Sequence, residues 1–109
     1  MMLQGFLYEL TGKEEGSATI KLIPSCPIYK AHFPGYPITP GVTLVQIATE
    51  IMGKLLKGAR DIKFIEPIFP SADGPVLRYD WAVSEEGRAQ VSIFLLPEEK
   101  LCVKMTLGV

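Results

Sequence analysis

The chain has 109 residues, of which 48% are hydrophobic and 21% are charged, and its formal net charge is −1. These values predict one globular domain over residues 1–109, and the absence of a basic stripe argues against a nucleic-acid partner. No apolar run approaches the roughly 20 residues of a membrane helix, and the first residues lack the charged region of a signal peptide. We therefore expect no membrane span and a cytoplasmic location.

The first third of the chain predicts two strands and then an irregular segment. Residues 5–11 and 17–23 are typical of strands around a turn at Gly12–Gly16, because residues 17–23 alternate polar and apolar side chains. The stretch from Tyr29 to Gly41 carries three prolines and two glycines, which predicts an ordered segment without regular secondary structure.

A helix is predicted from Val42 to Lys57, with Gly58 as its C-terminal stop. Gln46 and Glu50 share one narrow polar arc of this helix, and apolar residues occupy well over half of the circumference. A helix that lies on a flat sheet needs an apolar stripe only a little wider than about 100°. We therefore expect the sheet to enclose this helix and, because the domain is small, two chains to pair side by side.

Only strand patterns follow the helix. Polar turn segments separate four predicted strands: Asp61–Glu66, Val76–Val83, Ala89–Leu96 and Leu101–Leu107. The predicted order is therefore β-β-α-β-β-β-β. One mostly buried helix with an antiparallel sheet curled around it is an α+β hotdog fold.

The two cysteines, Cys26 and Cys102, are predicted to be buried packing residues rather than a disulfide, because each stands beside apolar residues. Cys26 precedes His32 by a few positions, but no further ligand follows at a suitable spacing. We therefore expect no metal site, and no residue pattern indicates a cofactor.

The segment from His32 to Gly41 carries the strongest indication of chemistry. His32 is the only histidine of the chain, and it stands just before a Pro/Gly turn that leads into the predicted helix. A helix N-terminus presents unpaired N–H groups and a partial positive charge. A proton-transfer group beside such an acceptor for a carbonyl oxygen is the minimum needed for chemistry alpha to a carbonyl.

The sequence His-Phe-Pro-Gly-Tyr-Pro-Ile-Thr-Pro-Gly-Val at His32–Val42 resembles the active-site signature of the hotdog-fold 3-hydroxyacyl-[acyl carrier protein] dehydratases. Lys63–Pro70 is similar to the strand and turn that follow the helix in that family. The short chain looks closer to the compact members of pigment pathways, the aryl polyene and flexirubin types. The resemblance implies that His32 and an acidic helix residue form an acid–base pair across a dimer interface. It also implies that Gly41 donates its N–H to the thioester carbonyl.

The chain departs from this family at the acidic position, where it has Gln46. Glu50 stands where the family often has a glutamine, so the two residue types are exchanged. Glu50 either takes over the acid role or is a solvated carboxylate near Lys54, and Gln46 is predicted to orient the substrate or a water. The residues predicted to bind substrate are Phe33, Tyr36, Gly41 and Val42.

The resemblance implies dehydration of 3-hydroxyacyl thioesters to trans-2-enoyl thioesters in fatty-acid or specialised lipid biosynthesis. The expected partners are an acyl carrier protein with a pantetheine-bound acyl group, or acyl-coenzyme A, and a second copy of the chain or another hotdog protein. Two alternatives stay open at this point. One is an acyl thioesterase, although hotdog thioesterases generally use a helix carboxylate and lack the His-Phe-Pro-Gly motif. The other, suggested by Gln46, is a non-catalytic subunit that binds acyl chains.

Overall fold

A six-stranded antiparallel sheet and a twelve-residue helix make up most of the chain. The computed structural model describes residues 2–31 and 37–109. The strands lie in the order β1-β2-β4-β5-β6-β3, which confirms the predicted α+β hotdog arrangement. The elements are β1 (Tyr8–Glu14), β2 (Ser17–Leu22), α1 (Ile28–Ala31), α2 (Gly41–Met52), β3 (Gly58–Phe64), β4 (Val76–Val83), β5 (Arg88–Leu95) and β6 (Lys100–Gly108).

Alternating apolar residues of the four inner strands turn one face of the sheet toward α2. In β2, for example, Ala18, Ile20 and Leu22 are buried, and their neighbours along the strand are more exposed. Side chains of successive strand residues point to opposite faces, so this alternation places every second residue in the core. The helix side chains in the same core are Leu44, Val45, Ile47, Ala48 and Ile51.

The first strand begins later and ends later than the sequence predicted. The residues before it form a hydrogen-bonded turn, in which the backbone N–H of Leu7 donates to the carbonyl of Leu3 at 2.8 Å. The register of β1 against β2 shifts between Leu10 and Gly12, and the strand continues through this irregularity to Glu14. The predicted strand over residues 5–11 was therefore wrong at both ends, because a local turn and a bulge leave little trace in apolar alternation.

Helix α2 ends at Met52, five residues before the predicted end at Lys57. Gly53 adopts a left-handed conformation with φ 67° and ψ 34°, and its N–H donates to the Glu50 carbonyl. Glycine adopts this conformation without the steric penalty of a Cβ atom, and it is the usual residue at such a helix end. The prediction that Gly58 stops the helix was therefore wrong, since Gly53 already ends it.

The left-handed Gly53 leads to a stability prediction. Gly53→Ala should lower the free energy of unfolding by about 1–2 kcal/mol, because a Cβ is disfavoured in this conformation. Urea unfolding measures the change, and Leu55→Ala is the control because the Leu55 side chain is 85% exposed. A Gly53→Ala protein that is more stable than the parent would indicate that the helix continues through this position.

The segment before α2 contains a short helix that the sequence did not predict. Tyr29 in α1 is buried, and its hydroxyl is 3.0 Å from the Thr39 hydroxyl oxygen, so a hydrogen bond joins the two sides of the interval between them. Cys26 and Cys102 are both buried and free, as predicted. Within residues 2–31 and 37–109, no three His, Cys, Asp or Glu side chains are arranged to hold a metal ion. In the same residues, no helix is long and apolar enough to span a bilayer.

Candidate active site

The N-terminus of α2 opens onto a mainly apolar cavity. Gly41 is the first residue of the helix and follows Pro40, whose carbonyl accepts the Thr43 hydroxyl at 2.6 Å. The cavity has a volume of about 340 Å³. Its lining comes from the start of the helix and the residues before it, the end of β3 and the following turn, and β6: Ile38, Thr39, Pro40, Gly41, Leu44, Phe64, Glu66, Pro67, Ile68 and Val103.

The Phe64 ring approaches the backbone of Gly41 at the helix start closely. A Cβ atom at this position would lie 2.8 Å from Phe64 Cε1, which is well inside van der Waals contact. The Phe64 side chain is 58% exposed, and the neighbouring Val42 is 76% exposed. Gly41 therefore lines the cavity, as a group that binds a thioester carbonyl would, whereas Val42 faces outward in this single chain. The substrate-binding roles of both residues stay predictions.

The predicted base His32, together with Phe33 and Tyr36, lies outside the described residues. After these residues, the backbone N–H of Thr39 donates to the carbonyl of Ile68 at 2.8 Å. The Thr39 hydroxyl also forms the hydrogen bond with the Tyr29 hydroxyl. Tyr29 and Thr39, described residues on either side of positions 32–36, are thus hydrogen-bonded to each other, and Thr39 is also bonded to Ile68. The roles of the three residues remain sequence predictions.

Glu50 lies at the centre of a hydrogen-bond cluster with the N-terminal turn. Its Oε2 accepts the backbone N–H of Leu3 at 2.7 Å and the side-chain amide of Gln46 at 2.9 Å. Its Oε1 accepts the backbone N–H of Gln4 at 3.1 Å and the hydroxyl of Tyr8 at 2.9 Å. The alternative in which Glu50 is simply a solvated helix carboxylate is therefore wrong. We refer to these five residues as the Glu50 cluster.

Tyr8 holds one side of the Glu50 cluster. Its side chain is fully buried, and burial together with the hydrogen bond to the Glu50 carboxylate raises the pKa of Tyr8. The hydroxyl therefore stays protonated at neutral pH and remains a donor to Glu50. Sequence reasoning missed Tyr8, because its alternating strand position is equally typical of an ordinary core residue.

Gln46 and Glu50 are in direct contact, as their shared helical arc predicted. A carboxylate only accepts hydrogen bonds, so the amide nitrogen of Gln46 must be the atom that faces Glu50. The amide oxygen of Gln46 then lies at the other end of the group and can act only as an acceptor. Gln46 cannot supply the proton that an acidic residue would give at this position.

Comparison with protein families matches residues 9–105 to the ApeI-like family, described as ApeI dehydratase. This match covers most of the chain, and the chain belongs to the ApeI-like dehydratase family. The chain is also similar to the 3-hydroxyacyl-[acyl-carrier-protein] dehydratase FabZ of Bacillus pumilus (strain SAFR-032), with 23% identity over 87 residues. That alignment covers 80% of this chain, which spans about 60% of the length of the curated relative.

Solved structures show the same hotdog fold in proteins of different activities. The dehydratase domain from the CurK module of curacin polyketide synthase superposes with a TM-score of 0.62 at 17% identity, covering 94% of this chain and 42% of that one. A hypothetical thioesterase with coenzyme A from Streptococcus pneumoniae TIGR4 superposes with a TM-score of 0.58 at 15% identity, covering 92% and 81%. These likenesses show the fold alone. The family match and the similarity to FabZ, rather than these structures, support hydroxyacyl dehydration at the level of the family.

Proposed function

We propose that this chain dehydrates 3-hydroxyacyl thioesters on acyl carrier protein to trans-2-enoyl thioesters, in fatty-acid or specialised lipid biosynthesis. The observation that carries the proposal is the family match over residues 9–105. Gly41 supports it, since this residue begins α2 and lines an apolar cavity of about 340 Å³. A cavity of this kind suits an acyl chain whose thioester carbonyl lies at the helix N-terminus.

The first step of the proposed reaction is removal of a proton from C2 of the acyl group. Neutral His32 takes this proton, and the electron pair of the broken C–H bond moves onto the thioester carbonyl oxygen. The N–H of Gly41 and the partial positive charge of the helix start stabilise the resulting negative charge. Apolar walls such as Leu44 and Val103 strengthen this interaction because they exclude water.

The second step expels the C3 hydroxyl group. The electron pair returns from the carbonyl oxygen and forms the C2–C3 double bond, the C3–O bond breaks, and the leaving oxygen takes a proton and departs as water. The imidazolium of His32 holds the proton taken from C2 and can return it here, which restores the neutral base. Gln46, through its amide oxygen, orients the hydroxyl or a water. The alternative from the sequence, in which Glu50 supplies the proton, is untested and is distinguished by the pH profile of kcat below.

We also propose that two chains pair along strand β3. This strand is at the edge of the sheet, and all of its residues except Ile62 are exposed. An edge strand has unpaired backbone N–H and C=O groups that can bond to a second strand. Val42, next to Gly41, Phe64, whose ring approaches Gly41, and Ile65, next to Phe64, are exposed apolar residues that pairing would cover. The site of one chain would then lie against the other chain.

Ile65→Lys should convert the pair into a monomer, because it places a charge in the apolar surface that pairing would cover. The matched control is Val83→Lys, since Val83 is similarly exposed but lies on β4, three strands from β3. Light scattering on dilute protein measures the mass of the parent and of both variants. A parent that is strictly monomeric, or a dimer that survives Ile65→Lys unchanged, would contradict pairing at this edge.

The proposed activity is tested by mass spectrometry with a panel of 3-hydroxyacyl carrier-protein thioesters. Loss of one water from the bound acyl group by the purified chain supports dehydration. Release of the free acid would instead identify a thioesterase, an activity that the fold also supports. If turnover needs a second hotdog protein, the chain is a partner-dependent subunit, and the proposal for the isolated chain fails.

A further inference from the structure

The Glu50 carboxylate is fully occupied as an acceptor. A carboxylate offers about four lone-pair positions, and the described contacts supply four donors. Two of these donors are the backbone N–H groups of Leu3 and Gln4, which cannot turn away. The other two are the hydroxyl of Tyr8 and the amide of Gln46. Each oxygen thus has one fixed and one adjustable donor.

This arrangement opposes a proton-donating role for Glu50. A proton on Oε2 would face the amide of Gln46 or the N–H of Leu3, and a proton on Oε1 would face Tyr8 or the N–H of Gln4. Two donors that face each other lose a hydrogen bond and leave polar groups unsatisfied. Protonation would therefore require Gln46 or Tyr8 to reverse its hydrogen bond.

The same arrangement fixes the direction of the Gln46 amide. A free glutamine side chain can present either its oxygen or its nitrogen to a neighbour, but an acceptor-only partner allows one orientation. Glu50 is itself held at both oxygens by the N-terminal turn, so the orientation of Gln46 is anchored through Glu50 to residues more than forty positions away along the chain.

We propose that Glu50 is a positioning residue: it locks Gln46 with the amide oxygen directed away from Glu50, so that Gln46 presents a fixed acceptor to the hydroxyl group of the substrate. The inference rests on the proposed dehydration for what Gln46 orients, and on the Glu50 cluster alone for the orientation itself. Glu50 then positions Gln46, Gln46 orients the substrate, and neither residue donates a proton. The returning proton then comes from His32.

The test compares Glu50→Gln with Tyr8→Phe in the full chain. Glu50→Gln lets the amide of Gln46 turn, so its side-chain NH₂ resonances should move in a ¹⁵N NMR spectrum and kcat should fall about 10–100-fold, as expected for a misplaced contact. Tyr8→Phe removes one donor from Oε1 and leaves the contact between Oε2 and Gln46. It should lower Tm, and it should change the Gln46 resonances and kcat less than Glu50→Gln does.

The pH profile of kcat separates positioning from proton donation. If Glu50 positions Gln46, Glu50→Gln lowers kcat and leaves the alkaline limb of the profile in place. If Glu50 is the acid, that limb disappears in Glu50→Gln, and the inference is overturned. Unchanged Gln46 resonances in Glu50→Gln overturn it as well, whatever the activity.

Two further measurements cover a poorly folded variant and an inactive parent. If Glu50→Gln does not fold, Glu50→Asp is measured instead, because its shorter side chain draws the carboxylate away from Gln46 and the Gln46 side-chain resonances should shift. Unchanged Gln46 resonances in Glu50→Asp overturn the inference. If the parent dehydrates no thioester but its Gln46 resonances depend on Glu50, the orientation is supported and the proposed function is not.

Discussion

His32→Ala is expected to lower kcat for dehydration by about 10²–10⁴-fold, the usual contribution of a positioned general base. No other histidine exists in the chain to take the C2 proton. The effect should fall on kcat, because His32 acts on the reacting atoms rather than on the acyl chain. Steady-state kinetics with a 3-hydroxyacyl carrier-protein thioester measures the change.

The control for this variant is Lys30→Ala, which changes an exposed residue two positions earlier. It should leave kcat within a few-fold of the parent, and thermal unfolding should show that both variants remain folded. Activity of His32→Ala within a few-fold of the parent would remove His32 from the mechanism. The proton would then have to be taken by a group that neither the motif nor the described site indicates.

The second large effect is expected from Gln46→Glu, which restores a carboxylate at the family's acidic position. The new side chain replaces the amide that donates to Glu50 and brings a second carboxylate to within one helical turn. Lost hydrogen bonding to a charged group and like-charge repulsion should together lower the free energy of unfolding by about 2–3 kcal/mol. Activity should nevertheless be kept or raised, because two adjacent carboxylates share a proton that one of them can donate.

The stability loss of Gln46→Glu should depend on pH. Like-charge repulsion acts only while both carboxylates are ionised. The loss is therefore expected to be larger at pH 8 than at pH 4. Urea unfolding of parent and variant at pH 4 and pH 8 measures this difference. An equal loss at both pH values would contradict the repulsion.

The exchanged double variant, Gln46→Glu with Glu50→Gln, separates repulsion from other causes. It places an amide donor opposite the new carboxylate, so the contact between positions 46 and 50 is restored in the reverse direction. Its stability should lie between those of the parent and Gln46→Glu. A glutamine at position 50 has only one side-chain oxygen, so it can accept fewer hydrogen bonds from the N–H groups of Leu3 and Gln4 than the two oxygens of Glu50 do. If the double variant is less stable than Gln46→Glu, the contact between positions 46 and 50 does not determine the stability of these variants.

Patterns within short stretches of sequence predicted the strands and the helix that strand alternation and helical periodicity determine. The alternation in residues 17–23 predicted a strand, which the structure has at Ser17–Leu22, and Val76–Val83 has the predicted bounds. The wide apolar arc of the helix predicted its enclosure, and its core residues are buried with those of the strands. The end of the helix was wrong, because Leu55 and Leu56 continue the apolar pattern past a glycine whose left-handed conformation the pattern does not reveal.

The candidate site was predictable only where its residues are neighbours in sequence. The motif around Gly41 and the contact between Gln46 and Glu50 follow from short spacings along one segment. The partners of Glu50 in the N-terminal turn do not, because Tyr8 and Glu50 are 42 positions apart and nothing in either local pattern indicates their contact. The sequence therefore left Glu50 as an acid or a solvated carboxylate, and the structure shows it to be a saturated acceptor.

The proposed dehydration can also run in reverse, as the addition of water across the C2–C3 double bond of a carrier-bound thioester. Its most direct test is the reverse reaction, in which the parent is incubated with a trans-2-enoyl carrier-protein thioester in heavy water and the bound acyl group is examined by mass spectrometry. The expected product is a 3-hydroxyacyl thioester that carries deuterium at C2, and it should form far more slowly with His32→Ala. An enoyl thioester recovered unchanged from the parent, or released as the free acid, would contradict the proposed dehydration.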